Sequence, residues 1–432
     1  MESVKEKAFV FDTMEEDITA STSTPDEAAR ARKILLEAAE QTRKKEIKIT
    51  RKVEPFKKLL TLIRLRFRYG VHWKKPFYPI RLLRNEIVGK FYDMFGIKKY
   101  VLRGIEFAVT FRCNFSCNHC LCARITDYSR RELEPEDYRR VVKEAMALGA
   151  TTFGLEGGEP FVKKGWDKII EAWQPHYNHI IVSTNGYLFD EKIARRCAEL
   201  GVDTVNFSLD SGIAEIHDAF RKKKGAFERV MNGIRLCKIY GIKVIINNVT
   251  HKGNLYTDGY RELLEFAERE RIMINTLLAK GVGNFKDKDA MLDEDDLKAY
   301  EKIIAPYNWV QRHLNFNYGK QFGCPGTKEM INMTPYGDVM NCANMHIYFG
   351  NVMEEPLAVV RERTLANSPF GRYHECFLAV DRDFMNVYYP LLERKGHMSL
   401  DEFKTALKTY EKEHGKVLYP ELCTTAGCTG CA

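Results

Sequence analysis

Hydrophobic and polar residues follow two alternating patterns from about residue 104 to residue 283. Short β-branched or aromatic runs predict strands, and the stretches between them have the spacing of helices. The strand-like runs are IEFAVTF, TTFGLEG, HIIVSTNG, VDTVNFSLD, KVIINNVT and MINTLLAKG. Helical stretches such as PEDYRRVVKEAMALG and EKIARRCAELG end in glycine, which often closes a helix. Six strands and five intervening helices predict a parallel α/β sheet, either doubly wound or a barrel short of eight strands.

The residues before this region predict a tail followed by helices. Residues 1–23 are polar and aperiodic, which is typical of disorder. Thr24 and Glu27 form a T-x-x-E capping box that predicts the start of a helix. Two further helical stretches, EPFKKLLTLIRLRFRYG and IRLLRNEIVGKFYDMFG, follow it. The chain is therefore predicted to comprise a disordered tail, a basic helical region, an α/β unit and a loop-rich, cysteine-bearing region, over residues 1–23, 24–100, 101–283 and 284–432.

The composition indicates a globular protein. The chain has 432 residues, of which 45% are hydrophobic, enough for a sizeable core. No stretch approaches the roughly 18 consecutive apolar residues of a membrane span, and the N-terminus lacks the features of a secretory signal. We therefore expect a cytoplasmic location, where clusters among twelve cysteines indicate metal binding or catalysis more often than disulfides.

Positive charge is concentrated near the N-terminus. Residues 43–100 contain eighteen Lys or Arg and four Asp or Glu, while the whole chain has a net charge of +8. The aromatic-rich, basic stretch of residues 55–100 has two interpretations. It forms a peripheral contact with an anionic membrane, or its apolar face packs against the α/β unit and its lysines face water. Nucleic acid is disfavoured as a partner, because no recognised binding motif accompanies the basic run.

Chemistry-bearing residues follow the predicted strands. CNFSCNHC, with cysteines at 113, 117 and 120, leaves the first strand, and GLEGGEP, STNG, SLD and NNVT leave the next four. The C-terminal ends of parallel strands lie at one face of such a fold, so these segments predict one shared pocket. Three thiolates can hold three irons of a [4Fe–4S] cube and leave the fourth iron open. A zinc knuckle or three packed thiols are the alternatives for the cysteine motif alone.

The combination of CNFSCNHC with GGEP resembles the radical S-adenosylmethionine (radical SAM) superfamily, whose hallmark is CxxxCxΦC with an aromatic residue at Φ. Position 119 is histidine here, which departs from that pattern. The resemblance covers residues 104 to 283 and implies a partial (β/α)6 TIM-like barrel. It implies a [4Fe–4S] cluster on Cys113, Cys117 and Cys120, with S-adenosylmethionine (SAM) chelating the remaining iron.

The resemblance also implies the cofactor contacts and the reaction. The SAM-binding residues would be Gly157, Gly158, Glu159, Ser183, Thr184, Asn185, Ser208, Asp210 and Asn247, with Asn248 as an alternative to Asn247. One electron from the cluster would cleave SAM to methionine and a 5′-deoxyadenosyl radical, which abstracts a substrate hydrogen. The electron would come from a flavodoxin or a ferredoxin.

The C-terminal cysteines are similar to the SPASM or shorter twitch extensions that hold auxiliary clusters. The C-x(n)-G-x4-C element and a trailing CxxC match that pattern, but Ala379 replaces a cysteine of a full SPASM domain. We expect one auxiliary [4Fe–4S] cluster, and a zinc ribbon is the alternative. Its expected ligands are Cys324, Cys342, Cys428 and Cys431, with Cys376 and Cys423 as second choices.

The substrate is the most open prediction. Relatives with such extensions often modify peptides or proteins, so a peptide or protein side chain is the first expectation. The basic amphipathic region supports an alternative, a lipid or polyprenoid substrate taken from a membrane surface. A hypothesis of another class is a non-catalytic metal-binding scaffold or electron carrier. GGEP, STNG and SLD argue against that hypothesis, because an electron carrier does not need them.

Overall fold

The computed structural model describes residues 75–97, 99–285, 290–312, 325–367, 378, 381–415 and 417. The predicted tail and the first two predicted helices lie outside this part of the chain. All six predicted strands form. They are β1 (Gly104–Thr110), β2 (Thr152–Gly157), β3 (His179–Thr184), β4 (Thr204–Ser208), β5 (Lys243–Thr250) and β6 (Met273–Leu278).

Helices connect these strands as the sequence predicts, with one crossover that contains two helices. The N-terminal helix and the crossover helices are α1 (Phe77–Met94), α2 (Pro135–Ala147), α3 (Trp166–Ala172), α4 (Glu191–Leu200), α5 (Ala214–Arg221), α6 (Ala226–Tyr240) and α7 (Asp258–Glu270). The later elements are α8 (Glu294–Ile304), β7 (Val310–Arg312), β8 (Met330–Met333), β9 (Val339–Met340), β10 (Ile347–Tyr348), α9 (Leu357–Ala366), α10 (Arg382–Lys395), β11 (Met398–Ser399) and α11 (Leu400–His414).

The strands form one nine-stranded sheet in the order β7-β6-β5-β4-β3-β2-β1-β8-β9. Every neighbouring pair from β7 to β8 is parallel, and β8 pairs antiparallel with β9. The sequential order with intervening helices is that of a partial barrel, which confirms the predicted fold class. Among the described strands β7 and β9 are the edges, so the sheet has an open side.

Alternation along each strand produces two different faces. Ile105, Phe107 and Val109 of β1 are fully buried on the helix-covered side. Phe107 stacks on Trp173, with ring centroids 5.1 Å apart, and both belong to the main hydrophobic core. Glu106 and Ala108, between them, face the inside of the barrel. The inner face can therefore hold polar side chains, while burial of the apolar outer face provides most of the stability.

Helix α1 is fastened across the N-terminal ends of the strands by polar contacts. The Lys75 ammonium, just before it, donates to the carbonyl oxygens of Asn178 and Gly201 at 2.8 and 2.9 Å and pairs with Asp203. Arg81 donates to the Asn178 side chain at 2.6 Å. Apolar side chains at helical spacing instead face outward and are about half or more exposed, namely Phe77, Ile80, Leu83, Ile87, Phe91 and Met94.

Candidate active site

The three cysteines of CNFSCNHC lie in the loop that leaves β1, at the C-terminal end of the barrel. Cys113 is exposed, Cys117 is buried and Cys120 is half-buried. The backbone N–H of Phe115 donates to the Cys113 sulfur at 3.4 Å, and the N–H of Cys120 donates to the Cys117 carbonyl at 3.3 Å. The loop is therefore a short segment in which Cys117 and Cys120 lie at the two ends of one turn and Cys113 precedes it.

The segment that leaves β6 holds this loop from the other side. Asn284 donates its side-chain N–H to the Cys117 carbonyl and its backbone N–H to the Cys120 carbonyl, both at 3.0 Å. Gly283 has a φ of +65°, and a Cβ there would lie 2.2 Å from the Cys120 carbonyl oxygen. The two ends of the six-strand alternation thus meet at the cysteine loop.

The thiols do not converge on one point. Among the described residues, no three Cys, His, Asp or Glu side chains are placed to hold a single metal ion. Zinc would require its ligands around one centre, whereas a cube distributes three thiolates over three irons. A hydrogen bond from the Cys122 thiol outweighs burial and lowers the pKa of Cys120 to about 6. This donor set fits a cluster better than a zinc ion.

Two glycines bring the β2 exit against the cysteine loop. The N–H of Gly158 donates to the Thr110 carbonyl at 2.8 Å, and the N–H of Glu159 donates to the Arg112 carbonyl at 3.0 Å. Gly157 has a φ of +124°, and a Cβ there would lie 2.2 Å from the Thr110 carbonyl oxygen. Only glycine allows this approach of the two backbones.

Gly157→Ala is therefore expected to be far more damaging than a glycine substitution without the clash. Gly165 also has a positive φ, but a Cβ there has nothing within 4 Å. Gly165→Ala should cost about 1–2 kcal/mol for its backbone conformation. Gly157→Ala should cost about 1–3 kcal/mol more, because backbone must move. Urea unfolding of both variants checks this, and equal losses of stability would contradict it.

Glu159 is completely buried and organises the β2 and β3 exits. Its carboxylate accepts from the Thr184 hydroxyl and the Asn185 backbone N–H, both at 2.8 Å, and from the Phe161 N–H at 3.3 Å. Burial raises the pKa of Glu159 to about 7, and these three hydrogen bonds oppose that rise. The Asn185 side chain in turn donates to the Asn114 side chain at 2.8 Å, within the cysteine loop. The GGE, STN and CNF segments are therefore connected by one hydrogen-bond network.

Asp210, at the β4 exit, forms a buried ion pair with Arg221. The Arg221 Nε donates to Asp210 Oδ2 at 2.6 Å, and the Val249 N–H donates to Asp210 Oδ1 at 3.0 Å. Burial raises the pKa of Asp210, but Arg221 and the nearby His119 and His217 outweigh it and hold the pKa at about 2. Both carboxylate oxygens are thus engaged within the protein.

The remaining predicted contacts divide between the inner face and the scaffold. Ser183 is on the inner face and donates to Glu156 at 2.8 Å. Asn247 is also on that face and accepts from the Asn275 side chain at 3.2 Å. Asn248 is fully buried and donates to the Asp210 carbonyl at 3.2 Å, so it braces the β4 exit. Ser208, the last residue of β4, is half-buried.

His119 replaces the aromatic residue of the family pattern and packs as one. Its ring is stacked on Phe220 with centroids 4.5 Å apart and an angle of 4°. The other face of Phe220 stacks on His251 at 5.0 Å and 7°. Burial lowers the pKa of His119 to about 3, so the ring is neutral. The imidazole therefore packs beside Cys120 as an aromatic side chain would.

Of the six predicted auxiliary-cluster ligands, only Cys342 belongs to the described part of the chain. It follows β9, is half-buried and packs against the main core. The other candidates lie outside the described residues, at positions Cys324, Cys376, Cys423, Cys428 and Cys431. Cys197 and Cys237 are buried in α4 and α6, as their helical spacing predicts.

Sequence reasoning missed the polar residues inside the barrel. Glu106 on β1 and Glu156 on the neighbouring β2 face its interior. Asn206 on β4 and Asn275 on β6 face it as well. Alternation within IEFAVTF and TTFGLEG could have indicated them, since a carboxylate interrupts each apolar run. Arg221 opens a run of four basic residues, a pattern that fits either a solvated charge run or contact with a carboxylate, and it is buried against Asp210.

Within the described residues, no helix is long and apolar enough to cross a membrane.

Comparison with known proteins bears on the family and the fold. The sequence profile of the Radical SAM superfamily matches residues 107–267. GTP 3′,8-cyclase of Aliarcobacter butzleri (strain RM4018) is 32% identical over 290 residues, which cover 62% of this chain and 86% of that protein. Fe-coproporphyrin III synthase of Methanosarcina barkeri (strain Fusaro / DSM 804) is 29% identical over 197 residues, 45% of this chain. The match spans about half of that synthase, 49% of its length.

A solved structure shows the same fold. SuiB of Streptococcus suis, in its complex with S-adenosylmethionine, has a TM-score of 0.52 and 17% identity, and the match covers 71% of this chain and 76% of SuiB. SuiB has also been solved with its precursor peptide SuiA. The GTP 3′,8-cyclase match is extensive enough to assign the family. The chain belongs to the radical SAM superfamily and is a radical SAM enzyme.

Proposed function

We propose that Cys113, Cys117 and Cys120 hold the [4Fe–4S] cluster and that SAM occupies the iron left without a protein ligand. The observation that carries this proposal is the loop itself, which brings three thiols to the end of the barrel and is joined through Asn114 and Asn185 to the buried Glu159 carboxylate. When bound, the cluster supplies one electron to SAM, giving methionine and a 5′-deoxyadenosyl radical.

The residues of the protein bind and orient SAM in this proposal. The glycines of GGE hold the β2 exit against the cysteine loop, where the SAM amino group would bind, and the Glu159 carboxylate fixes the Thr184 and Asn185 segment beside it. Ser183, Ser208 and Asn247 line the inner side toward the ribose and carboxylate. Asp210 is a positioning residue, because Arg221 and Val249 engage its two oxygens.

We propose a peptide or protein side chain as the substrate, with a flavodoxin or ferredoxin as reductant. The sheet has an open side between its edge strands in the described part of the chain, so an extended chain can enter laterally. The similar SuiB structure contains a precursor peptide, which supports the same class here. An auxiliary [4Fe–4S] cluster on Cys324, Cys342, Cys428 and Cys431, with Cys376 and Cys423 as second choices, belongs to this proposal.

Deuterium transfer tests the substrate class. Cells of the source organism grown in deuterated medium would supply separate peptide and lipid fractions. Each fraction would be incubated with reconstituted enzyme, unlabelled SAM and dithionite. We expect deuterated 5′-deoxyadenosine with the peptide fraction, and no label after that fraction is digested to free amino acids. Label from the lipid fraction alone would contradict a peptide substrate.

One observation favours the second candidate, a lipid or polyprenoid substrate at a membrane surface. The apolar stripe of α1 is exposed, and α1 is held to the barrel through Lys75 and Arg81 instead. An exposed apolar stripe within a basic region is typical of helices that lie on anionic bilayers.

Vesicle sedimentation tests this peripheral contact. The protein should sediment with phosphatidylglycerol vesicles at low salt. The variant Leu83→Glu/Ile87→Glu should bind at least about tenfold less, because two apolar side chains leave the bilayer. Ile239→Glu/Val359→Glu adds the same charge at exposed positions on α6 and α9 and should bind nearly as the wild type. A wild type that stays in the supernatant would exclude the membrane proposal.

A further inference from the structure

The inside of the barrel contains two carboxylates from neighbouring strands. Ala108 is in register with Glu156, and Glu106 lies one inward-facing position earlier on β1. Glu106 accepts from the Asn332 side chain at 2.6 Å, and Glu156 accepts from the Ser183 hydroxyl at 2.8 Å. These hydrogen bonds engage one oxygen of each carboxylate.

No cation of the described residues neutralises this pair. Glu106 and Glu156 form no ion pair there, and no Lys, Arg or His contributes to the pKa of either group. Burial raises the pKa of both, and the proximity of Glu156 raises that of Glu106 further. Two neighbouring carboxyls in such a site cannot both ionise without a compensating positive charge. A ligand cation would remove this penalty.

The neighbouring amides add further acceptors. Asn206 Nδ2 donates to the Ser183 hydroxyl at 3.4 Å, and that hydroxyl donates to Glu156, which fixes the orientation of the Asn206 amide. Asn275 Nδ2 donates to the Asn247 side chain at 3.2 Å. In the described part of the chain, the Oδ1 atoms of Asn206 and Asn275 are buried and accept no hydrogen bond. A partner that carries several N–H groups would satisfy both acceptors.

We propose that this acceptor-rich interior, formed by Glu106, Glu156, Asn206 and Asn275, binds an alkylammonium or guanidinium group of the substrate. Such a group supplies three or more donors and the positive charge that the two carboxylates lack. Lysine and arginine side chains are the protein groups that carry such a cation. This inference deepens the proposed function, because it names the chemistry of the side chain to be modified.

Binding of a small probe tests the site without turnover. The full chain would be titrated with n-butylammonium, and with 1-butanol as the uncharged analogue, by saturation-transfer NMR. We expect butylammonium to bind and butanol to bind at least about tenfold more weakly. Glu106→Gln and Glu156→Gln should each reduce butylammonium binding by about tenfold or more. Glu171→Gln removes an exposed carboxylate from α3 and should have no effect.

Several outcomes would overturn the proposal. One is equal binding of the charged and uncharged probes, and another is unchanged binding in both glutamine variants. Displacement of butylammonium by SAM in direct competition would assign the carboxylates to the SAM ammonium instead. Thermal unfolding of each variant confirms that it is folded, and either Glu variant alone suffices for the comparison.

The same samples separate this inference from the proposed function. Formation of 5′-deoxyadenosine by the reconstituted wild type tests the radical chemistry and needs no butylammonium binding. Butylammonium binding needs no cluster. A protein that forms 5′-deoxyadenosine but ignores the cation would refute only the cation site, and the reverse result would refute only the radical assignment.

Discussion

Replacing Cys113, Cys117 and Cys120 together by alanine is expected to abolish reductive cleavage of SAM. Formation of 5′-deoxyadenosine should fall by at least about 10³-fold, to the background without enzyme, because the proposed cluster whose open iron binds SAM is gone. The measurement is 5′-deoxyadenosine by mass spectrometry after anaerobic reconstitution, dithionite reduction and addition of SAM.

A core cysteine provides the matched control for this variant. Cys197 is fully buried in α4, outside the cysteine loop, and Cys197→Ala should retain the activity. The triple variant also tests the auxiliary cluster. It should keep about four irons per chain if one [4Fe–4S] cluster remains elsewhere. Loss of all iron would contradict the auxiliary cluster, and substantial 5′-deoxyadenosine from the triple variant would contradict the ligand assignment.

Arg221→Met is expected to be the most destabilising single substitution of a charged residue at the site. The Asp210 side chain is 3% exposed and that of Arg221 is 10% exposed, so the substitution leaves a buried carboxylate without its cation. Removing one partner of a buried pair costs about 3–5 kcal/mol. Urea unfolding followed by tryptophan fluorescence measures this loss, since Trp173 reports on the core.

Two controls make this prediction specific. Asp210→Asn/Arg221→Met should be less destabilised than the single variant, because the uncompensated charge is gone. Arg196→Met removes an exposed pair with Asp167 and Glu171 and should cost less than about 1 kcal/mol. A single Arg221 variant as stable as the Arg196 variant would contradict the account of Asp210.

The ion pair also predicts a pH dependence with a defined sign. The pKa of Asp210 in the folded protein is about 2, below its ordinary value of 3.8. A depressed folded pKa contributes stability that is complete above the ordinary value and is lost as the pH falls through 4 toward 2. Arg221→Met should therefore weaken the dependence of stability on pH in this range.

The sequence was sufficient to predict the barrel because the clearest hydrophobic patterns lie in its longest strands. β1 to β6 have five to eight residues each, with buried apolar runs that only a covered parallel sheet explains. β7, β8 and β9 have two to four residues, too few for a periodic pattern, and none was predicted. Their places at the two ends of the sheet, beyond β6 and β1, depend on tertiary contacts.

The candidate site was predictable in so far as strand exits converge in this fold. CNFSCNHC, GGEP and STNG needed only that rule to be placed together, and hydrogen bonds through Glu159 and Asn185 connect the three segments. The buried role of Arg221 was not predictable, because a lysine-rich neighbourhood looks the same whether or not its first residue turns inward. The pairing of Glu106 with Glu156 required the register of β1 against β2, which local sequence does not encode.

The central claim is that three thiolates leave one iron of the cube open for SAM. Electron–nuclear double resonance on the reduced, reconstituted protein tests it directly, using SAM labelled with ¹⁵N at its amino group. We predict a ¹⁵N hyperfine coupling to the cluster, which is lost in the variant lacking Cys113, Cys117 and Cys120. A reduced cluster with no ¹⁵N coupling in the presence of saturating SAM would contradict the claim.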